Sequence, residues 1–259
     1  MSDSVAPRRA NVIGLGLIGG SVALGLRQIG WHVSGDDVDR ATAEQAIARG
    51  VVDDLGLDAG AEITFVAVPV LATADQVKRA LVETAGAVTD VGSVKAAICA
   101  ATGDSRFVGG HPMAGSELDG LDGAQADLFE GAVWVLTPVS DSDDSVFSTV
   151  ASVVASLGAE VVALSPERHD QLVAVVSHVP HLTAATLMGL ASDRAEEHAA
   201  LLRLAAGGFR DMTRVASGRP GIWLDICTEN RSAIVDVLGQ LIDGLAHIRD
   251  VIDVDDREQ

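Results

Sequence analysis

Up to about residue 164, short apolar runs alternate with stretches of helical periodicity. The runs Ala10–Leu15, His32–Gly35, Ile63–Val68, Ala87–Asp90, Arg106–Gly109, Val133–Thr137 and Glu160–Leu164 have the length and apolar density of buried strands. Helical patterns lie between them, such as Asp39–Arg49 closed by Gly50 and Ser145–Leu157 closed by Gly158. That alternation predicts βαβ units: an α/β domain with a doubly wound, mostly parallel sheet. After Leu164 the strand pattern stops. Ser165-Pro166-Glu167 reads as a helix start, with Ser as N-cap and Pro in the first turn. Helical periodicity follows, kinked at Pro180, then a helix over 193–205 and a last long one over 222–252. The expected division is an α/β domain over 1–165 and an all-helical domain over 166–259. The last helix carries an apolar stripe (Ile226, Ile234, Val237, Leu238, Leu241, Leu245, Ile248) larger than so small a domain can bury. It predicts a homodimer formed through the helical domain.

Composition narrows the partners. A formal net charge of −19 argues against nucleic acid, whose phosphates call for a basic surface. An anionic substrate would need its own local arginines or histidines against that field. Two cysteines, Cys99 and Cys227, far apart in sequence, fit a reduced cytoplasmic protein. Arg8-Arg9 before an uncharged run superficially resembles an export signal. The run is too short and glycine-rich to span a membrane, and no cleavage pattern follows, so no membrane role is expected.

The glycines of that run have another use. Gly14-Leu15-Gly16-Leu17-Ile18-Gly19 follows a strand and opens a helix. Gly14 permits the tight turn, Gly16 lets the backbone approach a pyrophosphate, and Gly19 lets helix and strand pack closely. Phosphates would rest on the helix N-terminus over Leu17 and Ile18. Asp37, with Asp36 beside it, ends the next strand, where a carboxylate accepts from a ribose 2′-hydroxyl and repels a 2′-phosphate. No arginine adjoins it in sequence before Arg40, which favours NAD over NADP. Val68 and Pro69, ending the Ile63–Val68 strand, complete the expected cofactor contacts of a Rossmann-type domain. The blander readings are a glycine turn without ligand, or a flavin held in the same way.

Gly109-Gly110-His111-Pro112-Met113-Ala114-Gly115-Ser116-Glu117 is read as a loop at a strand's carboxyl end, where open α/β sheets bind ligands. An imidazole at His111 can take a hydroxyl proton as hydride leaves the same carbon. In Thr89-Asp90-Val91-Gly92-Ser93-Val94-Lys95, Ser93 is either a hydrogen-bond partner of substrate or His111, or the N-cap of the next helix. Arg210 and Arg214 are spaced i,i+4, so in a helix they share a face and could meet carboxylates with bidentate forks. For Arg210 a surface ion pair with Asp211 is an equal alternative. His178 and His181 lie one helical turn apart, but no carboxylate or thiolate joins them at ligand spacing, so no metal is expected.

The segments GLGLIGGS, TDVGSVK, GGHPMAGSE, SHVPH and GGFRDMTRVASGRPGIWLDICTEN, in this order over most of the chain, resemble the prephenate dehydrogenases. The resemblance implies NAD-dependent oxidative decarboxylation of prephenate to 4-hydroxyphenylpyruvate in tyrosine biosynthesis, by an enzyme dimerising through its helical domain. It makes His111 the catalytic imidazole and Ser93 the residue orienting it. Arg214 becomes a carboxylate clamp, His181 a pocket residue, and Gly207, Trp223, Glu117 and its neighbour Ser116 positions at the same pocket. L-arogenate, with an amino group for the keto group, is the nearest rival substrate, and Glu117 or Asp170 could supply an acid for its ammonium. A 3-hydroxyacid dehydrogenase would place a catalytic lysine in the helical half, yet no lysine follows Lys95. A non-catalytic NAD-binding module is the reading outside enzymology.

Overall fold

The computed structural model describes residues 6–116, 118–198, 200–217 and 220–254. It divides into two compact units between His169 and Asp170. The first is built on an eight-stranded sheet. Its strands are β1 (Arg9–Ile13), β2 (His32–Asp36), β3 (Asp54–Leu55), β4 (Ile63–Val66), β5 (Ala87–Asp90), β6 (Phe107–Pro112), β7 (Val133–Thr137) and β8 (Glu160–Ala163), in the spatial order β3-β2-β1-β4-β5-β6-β7-β8. Every neighbouring pair is parallel except β6 and β7. The order reverses between β1 and β4, the switch point at whose carboxyl end such sheets bind ligands.

Helices α1 (Leu17–Gln28), α2 (Arg40–Ala48), α3 (Val70–Glu83), α4 (Ala96–Thr102) and α5 (Asp144–Ser156) connect the strands. The N-caps of α2 and α5 are aspartates: Asp39 accepts from Ala41 N at 3.2 Å and Asp143 from Ser145 N at 2.7 Å. Strands β4 and β5 are buried at every residue, as expected of parallel strands covered on both faces. The core runs through Val12, Phe65, Phe129, Trp134 and Leu136, all fully buried.

Two readings of this unit change. The strand expected to end at Gly109 continues through Pro112, so His111 is a strand residue paired with Val135 rather than a loop residue. The glycines there mark a close approach instead of a terminus. A Cβ on Gly110 would stand 2.6 Å from the carbonyl oxygen of Asp90 and 2.9 Å from Thr89 Oγ1. Of the two roles open to Ser93, the N-cap is not taken, because the helix begins later, with Lys95 at the N-cap position.

The chain enters the second unit within α6 (Pro166–Val173), whose start is capped as expected: Ser165 Oγ accepts from Arg168 N at 3.2 Å. A π-helical turn, Ala174–His178, leads into α7 (Val179–Glu197). Pro180 donates no hydrogen bond and its ring crowds the carbonyl four residues back, so the helix widens by one residue instead of breaking. Pro166–Ala195 contains a stretch long and apolar enough to cross a membrane by length and composition, with a mean hydropathy of 1.4 over its most apolar 18 residues. Its buried histidines are, however, hydrogen-bonded within the protein.

The helix expected over 193–205 is interrupted. Helix α7 ends at Glu197, His198 leaves the helical region at φ −133° and ψ 87°, and α8 (Leu201–Leu204) follows. The turn places Leu201 beside an open pocket of about 310 Å³ lined also by Leu187, Leu190 and Phe209. Beyond α9 (Gly207–Thr213), the single helix expected over 222–252 is two, α10 (Pro220–Glu229) and α11 (Arg231–Asp253). The break is at Asn230, whose buried amide donates to the Asp170 carbonyl at 2.8 Å and meets His178 Nδ1 at 3.1 Å.

Candidate active site

At the end of β1, Gly14 adopts φ 90°, and its N–H donates to the Asp36 carbonyl at 2.7 Å. A Cβ at Gly14 would lie 2.3 Å from the Ala67 carbonyl oxygen, and one at Gly19 would lie 1.8 Å from that of Gly14, so both positions require glycine. Gly16 differs: nothing stands within 4 Å of where its Cβ would be. It is also the N-cap of α1, and no side chain caps that helix. The first N–H groups of α1 therefore meet open space bounded by glycine, which suits a pyrophosphate.

Asp37 stands beyond the end of β2. Its carboxylate accepts from Leu15 N at 2.7 Å and Asp39 N at 2.8 Å, which fixes it beside the glycine turn. An ionised carboxylate has further lone pairs for a ribose hydroxyl. Three-dimensional proximity adds an arginine that sequence spacing did not suggest: Arg79 of α3 pairs with Asp36 at 2.6 Å and with Glu83 at 3.0 Å. Its guanidinium is thus committed to two acids. Val68 and Pro69 lie between β4 and α3, with Pro69 at the N-cap position. Together these residues fit a dinucleotide.

His111 is half-buried on β6, and its Nδ1 lies 2.8 Å from Nε2 of His169, which is fully buried at the start of α6. The two rings meet edge to face, with centroids 5.0 Å apart. A single proton lies between the two nitrogens. With His111 as the donor through Nδ1, its Nε2 is left as a base. Ser93 sits half-buried between β5 and α4, and the partner at His111 Nδ1 is His169. Ser116 is exposed, and its hydroxyl accepts from Leu118 N at 3.1 Å. Glu117 lies outside the described residues.

The second unit gathers another group. His181 is buried and donates through Nδ1 to the Val215 carbonyl at 2.7 Å, which fixes the proton on that nitrogen. Trp223 stacks on its ring, with centroids 3.5 Å apart and planes 7° from parallel. The same indole meets His178 edge-on at 6.1 Å, and Asn230 as donor to His178 Nδ1 places the His178 proton on Nε2. Arg214, the neighbour of Val215, opens a 3₁₀ turn directly after α9 and is exposed, as are Arg210 and Gly207 on α9. Among the described residues no three of His, Cys, Asp or Glu converge as metal ligands.

Residues 22–163 match the model of the prephenate dehydrogenase nucleotide-binding domain, and residues 165–259 match that of the prephenate dehydrogenase dimerization domain. The chain belongs to the prephenate dehydrogenase family. A relative named prephenate dehydrogenase, from Bacillus subtilis, is 35% identical over 95% of this chain and 70% of its own length. Among solved structures, prephenate dehydrogenase from Aquifex aeolicus in complex with hydroxyphenyl propionate and NAD+ superposes with a TM-score of 0.89 at 29% identity, covering 98% of this chain and 94% of its own. Synechocystis arogenate dehydrogenase superposes with a TM-score of 0.82 at 32% identity, covering 96% and 93%.

Within this family frame, three groups went unmarked in the sequence reading: His169, Asn230, and the buried pair Asp90 and Lys95. His169 sits 58 residues from its imidazole partner and carries no local signal. Lys95 was visible in TDVGSVK, but its burial was not.

Proposed function

We propose that the protein catalyses the NAD-dependent oxidative decarboxylation of prephenate to 4-hydroxyphenylpyruvate, a step of tyrosine biosynthesis. The observation that carries the reading is the His111–His169 hydrogen bond, in a chain matched along its length to this dehydrogenase family. Residues 1–165 form the NAD-binding domain and residues 166–259 the substrate and dimerisation domain. Gly14, Gly16, Leu17, Ile18 and Gly19 hold the pyrophosphate. Asp37 holds the ribose, and Val68 and Pro69 flank the cofactor. NAD, when bound, supplies the hydride acceptor.

His111 withdraws the proton of the ring hydroxyl through Nε2, and its Nδ1–H keeps donating to His169, which stabilises the imidazolium as it forms. Ser93 binds the same hydroxyl. Arg214 holds a substrate carboxylate, with Arg210, four residues before it, as a second cation. By the family motif, His181, Trp223, Gly207, Ser116 and Glu117 are assigned to substrate binding as well. Loss of the ring carboxylate is driven by aromatisation, so the protein chiefly orients the substrate and removes one proton.

Arogenate is the second reading, favoured by the 32% identity to an arogenate dehydrogenase. The test is NADH formation with prephenate and with arogenate side by side, using NAD and then NADP. The expected result is turnover of prephenate with NAD. Turnover of arogenate alone would move the assignment to the second reading, and turnover of neither would refute both. In this reading the enzyme works in the cytoplasm as a homodimer joined through its helical domain, which the match to a dimerization domain supports.

A further inference from the structure

The backbone pairing of β5 with β6 ends at Thr89 and Val108. Beyond it Asp90, the last residue of β5, continues the contact with its side chain: Oδ1 accepts from the backbone N–H of Gly110 at 3.1 Å. Gly110 directly precedes His111. The other oxygen, Oδ2, accepts from Gly92 N at 2.8 Å and from the ammonium of Lys95. Asp90 and Lys95 are both fully buried. Both carboxylate oxygens are engaged, which fixes the orientation of the group.

The glycines around the pair show how closely strand and charge are fitted. A Cβ at Gly92 would lie 2.9 Å from Asp90 Oδ2, and one at Gly109 would lie 2.9 Å from Cys99 Sγ and 3.4 Å from Lys95 Cδ. Two charges removed from water are a poor source of stability, because a well-packed apolar pair of similar volume does as well or better. What a buried pair can supply is one fixed geometry. Here the geometry it fixes is the peptide next to the proton-accepting imidazole.

We propose that the Asp90–Lys95 ion pair is a positioning device for His111, acting through the Gly110 peptide to hold the imidazole in the register at which Nδ1 meets His169. The proposal rests on His111 being the base. Its test separates the two claims. Asp90→Asn keeps the shape of the side chain, Lys95→Met removes the cation, and Asp90→Asn/Lys95→Met leaves a neutral pair. Each is made in the full chain, alone and together with His111→Asn, and followed by NADH formation from prephenate, KM for NAD and thermal melting.

With His111 present, each single substitution should lower kcat on the order of 10²-fold, the scale of a small misplacement of a reacting group, with little change in KM for NAD. With His111→Asn, the same substitutions should change the residual kcat by less than about threefold, since residues acting as one unit are not additive. Equal losses in both backgrounds would overturn the positioning role and leave the base assignment standing. A near-normal kcat for His111→Asn alone would instead overturn the base assignment, and the proposal with it. If the single variants do not fold, the neutral pair is read in the same two backgrounds. A neutral pair that also fails to fold marks a stability element and likewise overturns the proposal.

Discussion

At His111 the deciding question is which ring nitrogen carries the proton. The 2.8 Å contact with His169 admits one hydrogen, and only the tautomer with that hydrogen on His111 Nδ1 leaves a lone pair at Nε2. His111→Asn is therefore expected to lower kcat by about 10²–10⁴-fold with modest change in substrate affinity, and a near-normal kcat would remove His111 from the role of base. His169→Leu frees the imidazole to take either tautomer and should lower kcat by about 10–100-fold, in line with the loss of other orienting partners. The role proposed for Arg214 is in binding instead. Arg214→Gln should raise KM for prephenate by about 10–100-fold, as expected for a lost charge-assisted hydrogen bond, with a smaller effect on kcat. An unchanged KM would place the carboxylate elsewhere. His111 was legible because a titratable ring stood among glycines and a proline; His169 was not, because its significance comes only from a ring brought in from β6.

Among the elements, strands were more legible than helix ends. Apolar runs located seven of the eight strands to within a few residues, whereas the exposed two-residue β3 has no such run and went unread. Glycine misled at β6, where Gly109 and Gly110 allow close packing rather than a stop. Asn230 was hidden for the opposite reason: a one-residue break leaves the apolar period intact on either side, so the stripe reads through it. Asp53 shows how loops fasten these elements together. It takes both Arg27 Nε and Nη2 from the end of α1, at 3.0 and 2.7 Å, and the Val33 N–H of β2 at 2.9 Å. Burial alone would push its carboxyl up, but Arg27, the Val33 N–H and His32 outweigh it and hold Asp53 below the usual value of 3.8. A depressed folded value contributes stability above the unfolded value and loses it as pH falls through the folded one. Asp53→Asn should therefore cost about 1–2 kcal/mol near neutrality, or a few degrees in Tm. In urea titrations that difference should hold down to about pH 5 and shrink below about pH 4. A difference that grows in acid would contradict the sign.

For the whole molecule, the informative feature is apolar surface left uncovered on a single chain. The early part of the predicted stripe is used internally, with Ile226 and Ile234 at 3% and 4% exposure. The later part is not: Leu245 is 54% exposed, Ile248 55% and Ile252 73%. Leu238, Leu241, Leu245, Ile248 and Ile252 follow one another at alternating spacings of three and four, which lays a straight seam along one side of α11. Such a seam is matched by another helix bearing the same spacing, and a second copy of this chain carries one by symmetry. The match of residues 165–259 to a dimerization domain agrees with that occupant. Each large apolar side chain taken from water contributes about 1.5–3 kcal/mol, so several per protomer can hold a permanent dimer. A carboxylate placed in the seam would be buried without a partner, and twice over because the interface is symmetric. Leu245→Glu with Ile248→Glu should thus convert a particle of twice 26.6 kDa into one of 26.6 kDa by light scattering on a sizing column. The variant should keep the far-ultraviolet dichroism of the sheet domain, whose core owes nothing to the seam. Retention of the doubled mass would move the interface off α11, and a single-chain mass for the unmodified protein would refute the dimer itself.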